Sequence, residues 1–408
     1  MTTHRTRCIS GTVSALLALS SAAGAQTPTL PSAPHFVEAP DSPFRVGMEP
    51  ICAAVGDFNG DGKLDLAIVN SERSRANASV TVLLGNGKGG FTEAQGSPFP
   101  AGSNPESLAV GDFNGDGKPD SAIASFSGGI TVLLGNGKGG FTEARRSPFP
   151  VRGAPDFVVV GDFNGDGRPD LAIATFTGGI AVLLNDGKGG FADAPGSPFA
   201  AGGDPRSLVV GDFNGDGKPD LAISNRQSSN VTVLLGDGKG GFAEAPGSPV
   251  TVASSPGCAD SVAVGDFNGD RKLDLVTADT GRDKVTVLLG DGKGGFTAAP
   301  GNPVQASDVG HVAVGDFNGD GKADLVIANR HNNNVTVLLG NGTGGFSPAT
   351  GTPFRVGMEP WFVAAGDFNG DGKPDVAIVN YAGHNVTVLL NNSPGLAPAK
   401  AQPRGVAQ

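Results

Sequence analysis

Seven copies of one nine-residue segment carry oxygen-bearing side chains at alternate positions, a spacing that could hold a metal ion. The first copy is Asp57-Phe58-Asn59-Gly60-Asp61-Gly62-Lys63-Leu64-Asp65. Positions one, three, five and nine are Asp, Asn, Asp and Asp in every copy. They are Asp57, Asn59, Asp61 and Asp65; Asp112, Asn114, Asp116 and Asp120; Asp162, Asn164, Asp166 and Asp170; and Asp212, Asn214, Asp216 and Asp220. The last three sets are Asp266, Asn268, Asp270 and Asp274; Asp316, Asn318, Asp320 and Asp324; and Asp367, Asn369, Asp371 and Asp375. Calcium is a hard cation that takes about six to eight oxygens from a flexible loop. Position seven would add its backbone carbonyl, from Lys63, Lys118, Arg168, Lys218, Lys272, Lys322 or Lys373. Gly at position six permits the tight turn. Arg271 replaces it in the fifth copy, whose site is expected to be strained or weaker. The expected cofactor is Ca²⁺, up to seven ions.

An EF-hand shares the opening spacing but needs Glu at its twelfth position and flanking helices. Here the twelfth residue of the first copy is Ile68, and strand-like sequence lies on both sides. The bland alternative is an Asp/Asn/Gly turn with no metal. Carboxylates held so close would then repel one another with no cation between them. The seven copies hold 21 of the 40 acidic residues.

The elements that position these loops repeat with them. Successive copies start 55, 50, 50, 54, 50 and 51 residues apart, and such a period marks a repeat architecture. In the unit from Ser107 to Phe149, the acidic loop is flanked by Leu108-Ala109-Val110 and Ser121-Ala122-Ile123-Ala124. Ile130-Thr131-Val132-Leu133-Leu134 follows, then the turn Gly135 to Gly140, then Phe141-Thr142-Glu143-Ala144 running to Ser147-Pro148-Phe149. Short apolar runs bounded by Gly and Asn are strand signals, and no helical stripe competes. Four strands per repeat, seven times, predict an all-β protein: a seven-bladed β-propeller. Pro148 is placed in the outermost strand, where a missing N–H matters least. A linear solenoid, the other repeat architecture, would need polar capping repeats.

The chain ends argue for a closed ring. The seventh repeat stops after Val386-Thr387-Val388-Leu389-Leu390, without a Gly-Gly-Phe turn or fourth strand. His35-Phe36-Val37-Glu38-Ala39-Pro40-Asp41-Ser42-Pro43-Phe44 matches Gly90-Phe91-Thr92-Glu93-Ala94-Gln95-Gly96-Ser97-Pro98-Phe99 in register. An N-terminal strand is therefore expected to complete the last blade. The expected boundaries are a signal peptide over 1–25, a flexible segment over 26–32, the propeller over 33–392 and a disordered tail over 393–408.

The signal peptide is read from basic His4, Arg5 and Arg7, apolar Leu16 to Leu19, and the small residues Ala23-Gly24-Ala25. That apolar stretch is too short to span a membrane, and no other segment is long enough. A secreted protein is expected, extracellular, on the cell surface or periplasmic. Cleavage removes Cys8 and leaves Cys52 and Cys258, expected as separate buried thiols. Losing Arg5 and Arg7 takes the net charge from −11 to −13. Nucleic-acid partners want a basic face and are not expected. Seven Ca²⁺ would bring the mature chain close to neutral.

Gly-Asp-Phe-Asn-Gly-Asp-Gly-Lys-Pro-Asp-Leu-Ala-Ile at 211–223 resembles the FG-GAP/VCBS repeat of the integrin α-subunit propeller. The resemblance covers about residues 33–392. It implies a seven-bladed propeller with calcium in the loop between the first and second strands. The further domains of integrins have no counterpart here, so integrin-like adhesion is not implied in full.

On a propeller, strand connections alternate between two faces. The acidic loops should share one face with the Gly-Gly-Phe turns. The opposite face should carry the second-to-third-strand loops, where the repeats diverge: Ser71 to Arg75, Phe126-Ser127, Phe176-Thr177, Arg226-Gln227, Arg282-Asp283, Arg330-His331 and Tyr381 to His384. Variable loops on a rigid scaffold are where binding usually lies, though they also drift freely. The expected function is a monomeric calcium-binding scaffold for an extracellular protein or glycan ligand. A lectin is the alternative, with Trp361 and Tyr381 as the sole Trp and Tyr. A polysaccharide-active enzyme is a third reading, but His35, His311, His331 and His384 form no nucleophile–base motif, so no catalytic residue is expected. Asn230-Val231-Thr232 matches a glycosylation triplet but recurs as the start of a third strand.

Overall fold

The computed structural model describes residues 34–72, 78–177, 179–252, 259–280 and 282–393. The expected signal peptide, the segment 26–32, Cys258 and residues 394–408 lie outside them. The described residues form strands and turns with no helix, arranged as seven antiparallel sheets. The second sheet shows the plan: Pro105–Gly111, Asp120–Ser125, Gly129–Gly135 and Phe141–Glu143, paired in that order from the innermost strand outward. Each second strand is buried along its whole length, because neighbouring blades cover both of its faces.

The last sheet contains both ends of the chain. Phe36–Glu38 pairs antiparallel with Asn385–Asn391, with Phe36 opposite Asn391 and Glu38 opposite Leu389. The N-terminal strand therefore completes the seventh blade, as the internal sequence match implies. Ser393, assigned by sequence to the tail, is buried at this seam.

The outer edge differs from expectation. Pro148 does not sit in a paired strand. The fourth strand ends at Glu143, and the chain returns to the third strand at Phe149, which bridges to Ile130. Pro148 lies between these two contacts, its Ser147–Pro148 peptide bond cis like its six equivalents. The third-strand N–H left over by the break is satisfied by the preceding side chain: Val132 N–H donates to Ser147 Oγ at 3.1 Å. Ser97, Ser197, Ser248 and Ser42 do the same for their blades, with Asn302 and Thr352 replacing Ser in two others. Five blades extend the return into a two-residue strand.

Candidate metal loops and the opposite face

Each acidic loop joins the first strand to the second. Its second residue, a repeat-fixed Phe, points into the core and meets a fourth-strand Phe of the next blade. Phe58 packs on Phe141 with ring centroids 5.7 Å apart, and the same contact recurs around the ring. At the seam Phe317 meets Phe36 at 5.9 Å. The carbonyl of the same Phe accepts an N–H from the next blade's turn, as in Gly139 to Phe58 O at 2.9 Å. The loops and the Gly-rich turns thus share one face, as expected. The loops also sit at the joints between blades, which the sequence did not reveal.

Position one organises each loop. Asp57 Oδ1 accepts N–H groups from Gly60 at 2.7 Å and Asp61 at 3.1 Å, and Oδ2 accepts from Gly62 at 2.8 Å. Asn59 Oδ1 accepts from Asp61 N–H, and Asp61 Oδ1 from Lys63 N–H. The other six loops repeat this set around Asp112, Asp162, Asp212, Asp266, Asp316 and Asp367. Arg271 holds a left-handed φ of 65°, and its N–H still reaches Asp266 Oδ2 at 2.9 Å, so the fifth loop keeps the common shape. The position-seven side chains fold back: Lys63 Nζ lies 3.1 Å from Asp61 Oδ2 on the surface.

Position nine is turned inward. Asp65 is fully buried and accepts N–H groups from Phe58 at 2.8 Å and Gly85 at 2.7 Å, pinning the loop to the third strand. Burial pushes its carboxyl up to about 6, and the nearby Asp57 and Asp61 charges add to the rise against those two hydrogen bonds. Asp120, Asp170, Asp274 and Asp375 behave alike, Asp324 reaches about 7, and Asp220 is raised.

The donor set fits a hard cation: carboxylates and an amide oxygen at alternate positions of one loop. Each carboxylate oxygen that accepts one N–H keeps a further lone pair. Among the described residues, however, no three His, Cys, Asp or Glu side chains converge as a group that could hold a metal ion.

The FG-GAP-like repeat family matches six overlapping segments of the chain, 57–123, 112–173, 162–223, 212–277, 266–327 and 316–378. The chain belongs to the FG-GAP-like repeat family. No curated protein sequence matches it. Among solved structures, BBS1N in complex with ARL6DN is similar over 91% of this chain and 98% of its own, with 12% identity and a TM-score of 0.56. An Agrocybe aegerita lectin specific for non-reducing terminal N-acetylglucosamine is similar over 85% of each chain, with 20% identity and a TM-score of 0.52. Virginiamycin B lyase from Staphylococcus aureus is similar over 87% of this chain and 98% of its own, with 15% identity and a TM-score of 0.53. At these identities the likeness concerns the fold alone.

The opposite face of this family member has contacts that change from blade to blade. Three second-to-third-strand loops begin with a residue that reaches the first strand of the next blade or its approach: Phe176 toward Arg206, Arg226 toward Asp260 and Arg330 toward Trp361. Arg330 stacks on Trp361, its guanidinium carbon 3.3 Å from the ring centroid, and Trp361 lies 4.9 Å from Tyr381. Arg226 pairs with Asp260 at 3.0 Å. Arg206 pairs with Asp156 and Asp204 and lies 5.6 Å from the ring of Phe176, which in turn meets Phe126 at 6.0 Å. Phe126, Phe176, Met48 and Met358 are exposed there. The histidines are not brought together. His331 Nδ1 contacts Asp308 Oδ1 at 2.7 Å, and His384 Nδ1 accepts the Glu49 N–H at 3.1 Å. His311 is buried against Phe362 at 3.9 Å, and burial lowers it to about 3. Cys52 is a buried free thiol, raised by burial to about 12. No helix among the described residues is long and apolar enough to cross a membrane.

Proposed function

We propose that this propeller is a secreted, monomeric binding scaffold, stabilised by Ca²⁺ in its acidic loops, which engages an extracellular protein or glycan ligand through the opposite face. The observation that carries the reading is the contrast between the two faces. The loop face repeats one hydrogen-bond set seven times, whereas the opposite face presents a different pair at each joint described above. Arg, Trp, Tyr, Phe and Met gather on that second face, the residue types that dominate protein contact surfaces. Lys284 is the one described lysine there, at the start of a third strand.

Calcium is supported by the donor set and by the raised ninth-position carboxyls, which face neighbouring Asp charges. Bound in a loop, the ion would offset that repulsion, while position one keeps the loop's N–H groups aligned. The lectin reading has one favourable observation, the exposed Phe126–Phe176 pair. Trp361 supports it less, because Arg330 and Tyr381 already occupy its ring. Enzyme activity finds no support in the placement of the histidines.

Calorimetry and metal counting test the calcium part. Extracellular sites often have Kd near ~10⁻⁴ M, so ~1 mM Ca²⁺ adds about 1.4 kcal/mol per site, and seven sites give roughly 10 kcal/mol as an upper bound. Chelation should lower Tm by many degrees, and Ca²⁺ should restore it where Mg²⁺ does so poorly. A metal content near zero with no thermal shift would remove the calcium reading. Glycan and matrix-protein arrays, probed with the loaded protein and with Phe126→Ala and Phe176→Ala, test the ligand face. Binding that those variants leave intact would place the ligand elsewhere.

A further inference from the structure

The chain contains ten Asn-Gly pairs, the sequence in which a backbone nitrogen most readily attacks the preceding side-chain amide. Seven lie in the acidic loops at Asn59, Asn114, Asn164, Asn214, Asn268, Asn318 and Asn369, and three in the third-to-fourth-strand turns at Asn86, Asn136 and Asn341. The structure treats the two groups differently. In every acidic loop the Gly N–H that would have to act as nucleophile is held by the position-one carboxylate, at 2.7 Å for Gly60 and 2.8 Å for Gly115. A neighbouring anion disfavours loss of that proton, so the loop amides are protected.

The turns do the reverse. Asn86 Oδ1 accepts two backbone N–H groups, from Lys88 at 2.7 Å and Gly90 at 3.1 Å. Asn136 accepts from Lys138 at 2.8 Å and Gly140 at 3.0 Å. Asn341 accepts from Thr343 at 2.8 Å and Gly345 at 3.0 Å. Two aligned donors polarise the carbonyl and would stabilise negative charge on that oxygen when its carbon is attacked. All three asparagines are exposed, whereas the loop asparagines are half-buried or, at Asn318, buried.

We propose that Asn86, Asn136 and Asn341 are self-modification sites that deamidate in the folded protein while the seven loop asparagines are spared. The following Gly nitrogen forms a bond to the side-chain carbon and gives up its proton, and ammonia leaves with the amide nitrogen. Water then opens the cyclic imide to Asp or iso-Asp. The product has a place in this fold. The same turn position is Asp186, Asp237 and Asp291 in three other blades, each accepting the same two N–H groups. Conversion to Asp therefore keeps the turn and adds one negative charge per site to the loop face, beside the metal loop of the preceding blade.

Peptide mapping by mass spectrometry tests this on the full chain held at pH 8 and 37 °C, in water enriched in oxygen-18, with a parallel sample unfolded in urea. In urea all ten pairs should convert at similar rates. In the folded protein the three turn asparagines should convert at least about tenfold faster than the loop asparagines, the scale of one hydrogen bond to a charged group. Asn86→Asp should melt with the unmodified protein. Equal folded-state rates, faster loop conversion, or no turn conversion on the timescale of the urea sample would overturn the proposal. Because chelator and calcium play no part in the turn comparison, its failure is distinct from failure of the calcium reading.

Discussion

Acidifying the metal-free protein from pH 7.5 to 5 should raise its melting temperature, the reverse of ordinary acid denaturation. The ninth-position carboxyls carry this prediction. Asp65, Asp120, Asp170, Asp274 and Asp375 are pushed from 3.8 to about 6, and Asp324 to about 7, by burial first and neighbouring Asp charges after it. A carboxyl raised above its unfolded value makes ionisation a cost to the folded state. The cost is full above about 6 and fades as the pH falls toward 3.8. At full ionisation each such group costs about 3 kcal/mol, and at pH 5 about 1.4 kcal/mol of that is recovered. Six groups recover about 8 kcal/mol. His311 acts in the opposite sense. Its folded value is lowered from 6.5 to about 3, so stability is lost as the unfolded chain takes up a proton below 6.5. That loss reaches about 2 kcal/mol at pH 5. The carboxyls win by about 6 kcal/mol, a rise of several degrees for a chain this long. Scanning calorimetry in chelator across the pH range measures it, and His311→Phe should enlarge the rise. With Ca²⁺ present the trend should reverse, because protons compete for the ligand oxygens. A metal-free protein whose Tm falls steadily from pH 7.5 to 5 would refute the reasoning about position nine.

Three further outcomes follow from the packing. Deleting residues 33–44 should strip the seventh blade of its outer strand and expose a sheet edge, giving aggregation or a large drop in Tm; a truncated protein that melts like the full chain would remove the clasp. The unmodified protein should show only background turnover on common polysaccharides and esters, and an activity of it that His331→Ala or His384→Ala abolishes with the fold intact would establish an enzyme instead. Native Cys52 should resist thiol reagents that label it at once in guanidinium, and rapid native labelling would contradict its burial.

The blade plan was legible because the repeats punctuate it: apolar runs of strand length, Gly and Asn clusters between them, and a front segment matching the piece missing at the back. The outer edge was not, because Ser147-Pro148-Phe149 reads as a continuing strand. Only the folded geometry shows Ser147 Oγ taking the place of a backbone partner for Val132. The acidic spacing was equally plain, but not the separate duties within it. Position one holds loop N–H groups, position nine pins the third strand, and the Phe between them reaches into the next blade. Nor could sequence show that Arg330, Trp361 and Tyr381 meet, since they come from two blades.

The seam shows how little the joints tolerate omission. At six joints a turn glycine donates to the carbonyl of the loop Phe, from Gly139 to Phe58 through to Gly89 to Phe368. The seventh blade has no such turn, so Phe317 O would be left without a backbone donor where Phe36 closes over it. Asn391 Nδ2 takes that role at 2.9 Å, and Ser393 Oγ approaches at 3.2 Å. Ser393 Oγ also receives the His35 N–H at 3.0 Å, and Asn392 N–H reaches His35 O at 2.7 Å. Side chains thus rebuild, from both ends of the chain, what the turn supplies elsewhere. A buried carbonyl without a donor would cost about 1–3 kcal/mol, so this closing joint carries the same hydrogen-bond requirement as the other six. Because the acidic loops provide the Phe at every joint, disorder in one loop would reach its neighbour directly. The other six joints would still hold the ring together, which is why loss of a single loop ligand, as in Asp212→Ala, should loosen one joint without unfolding the propeller.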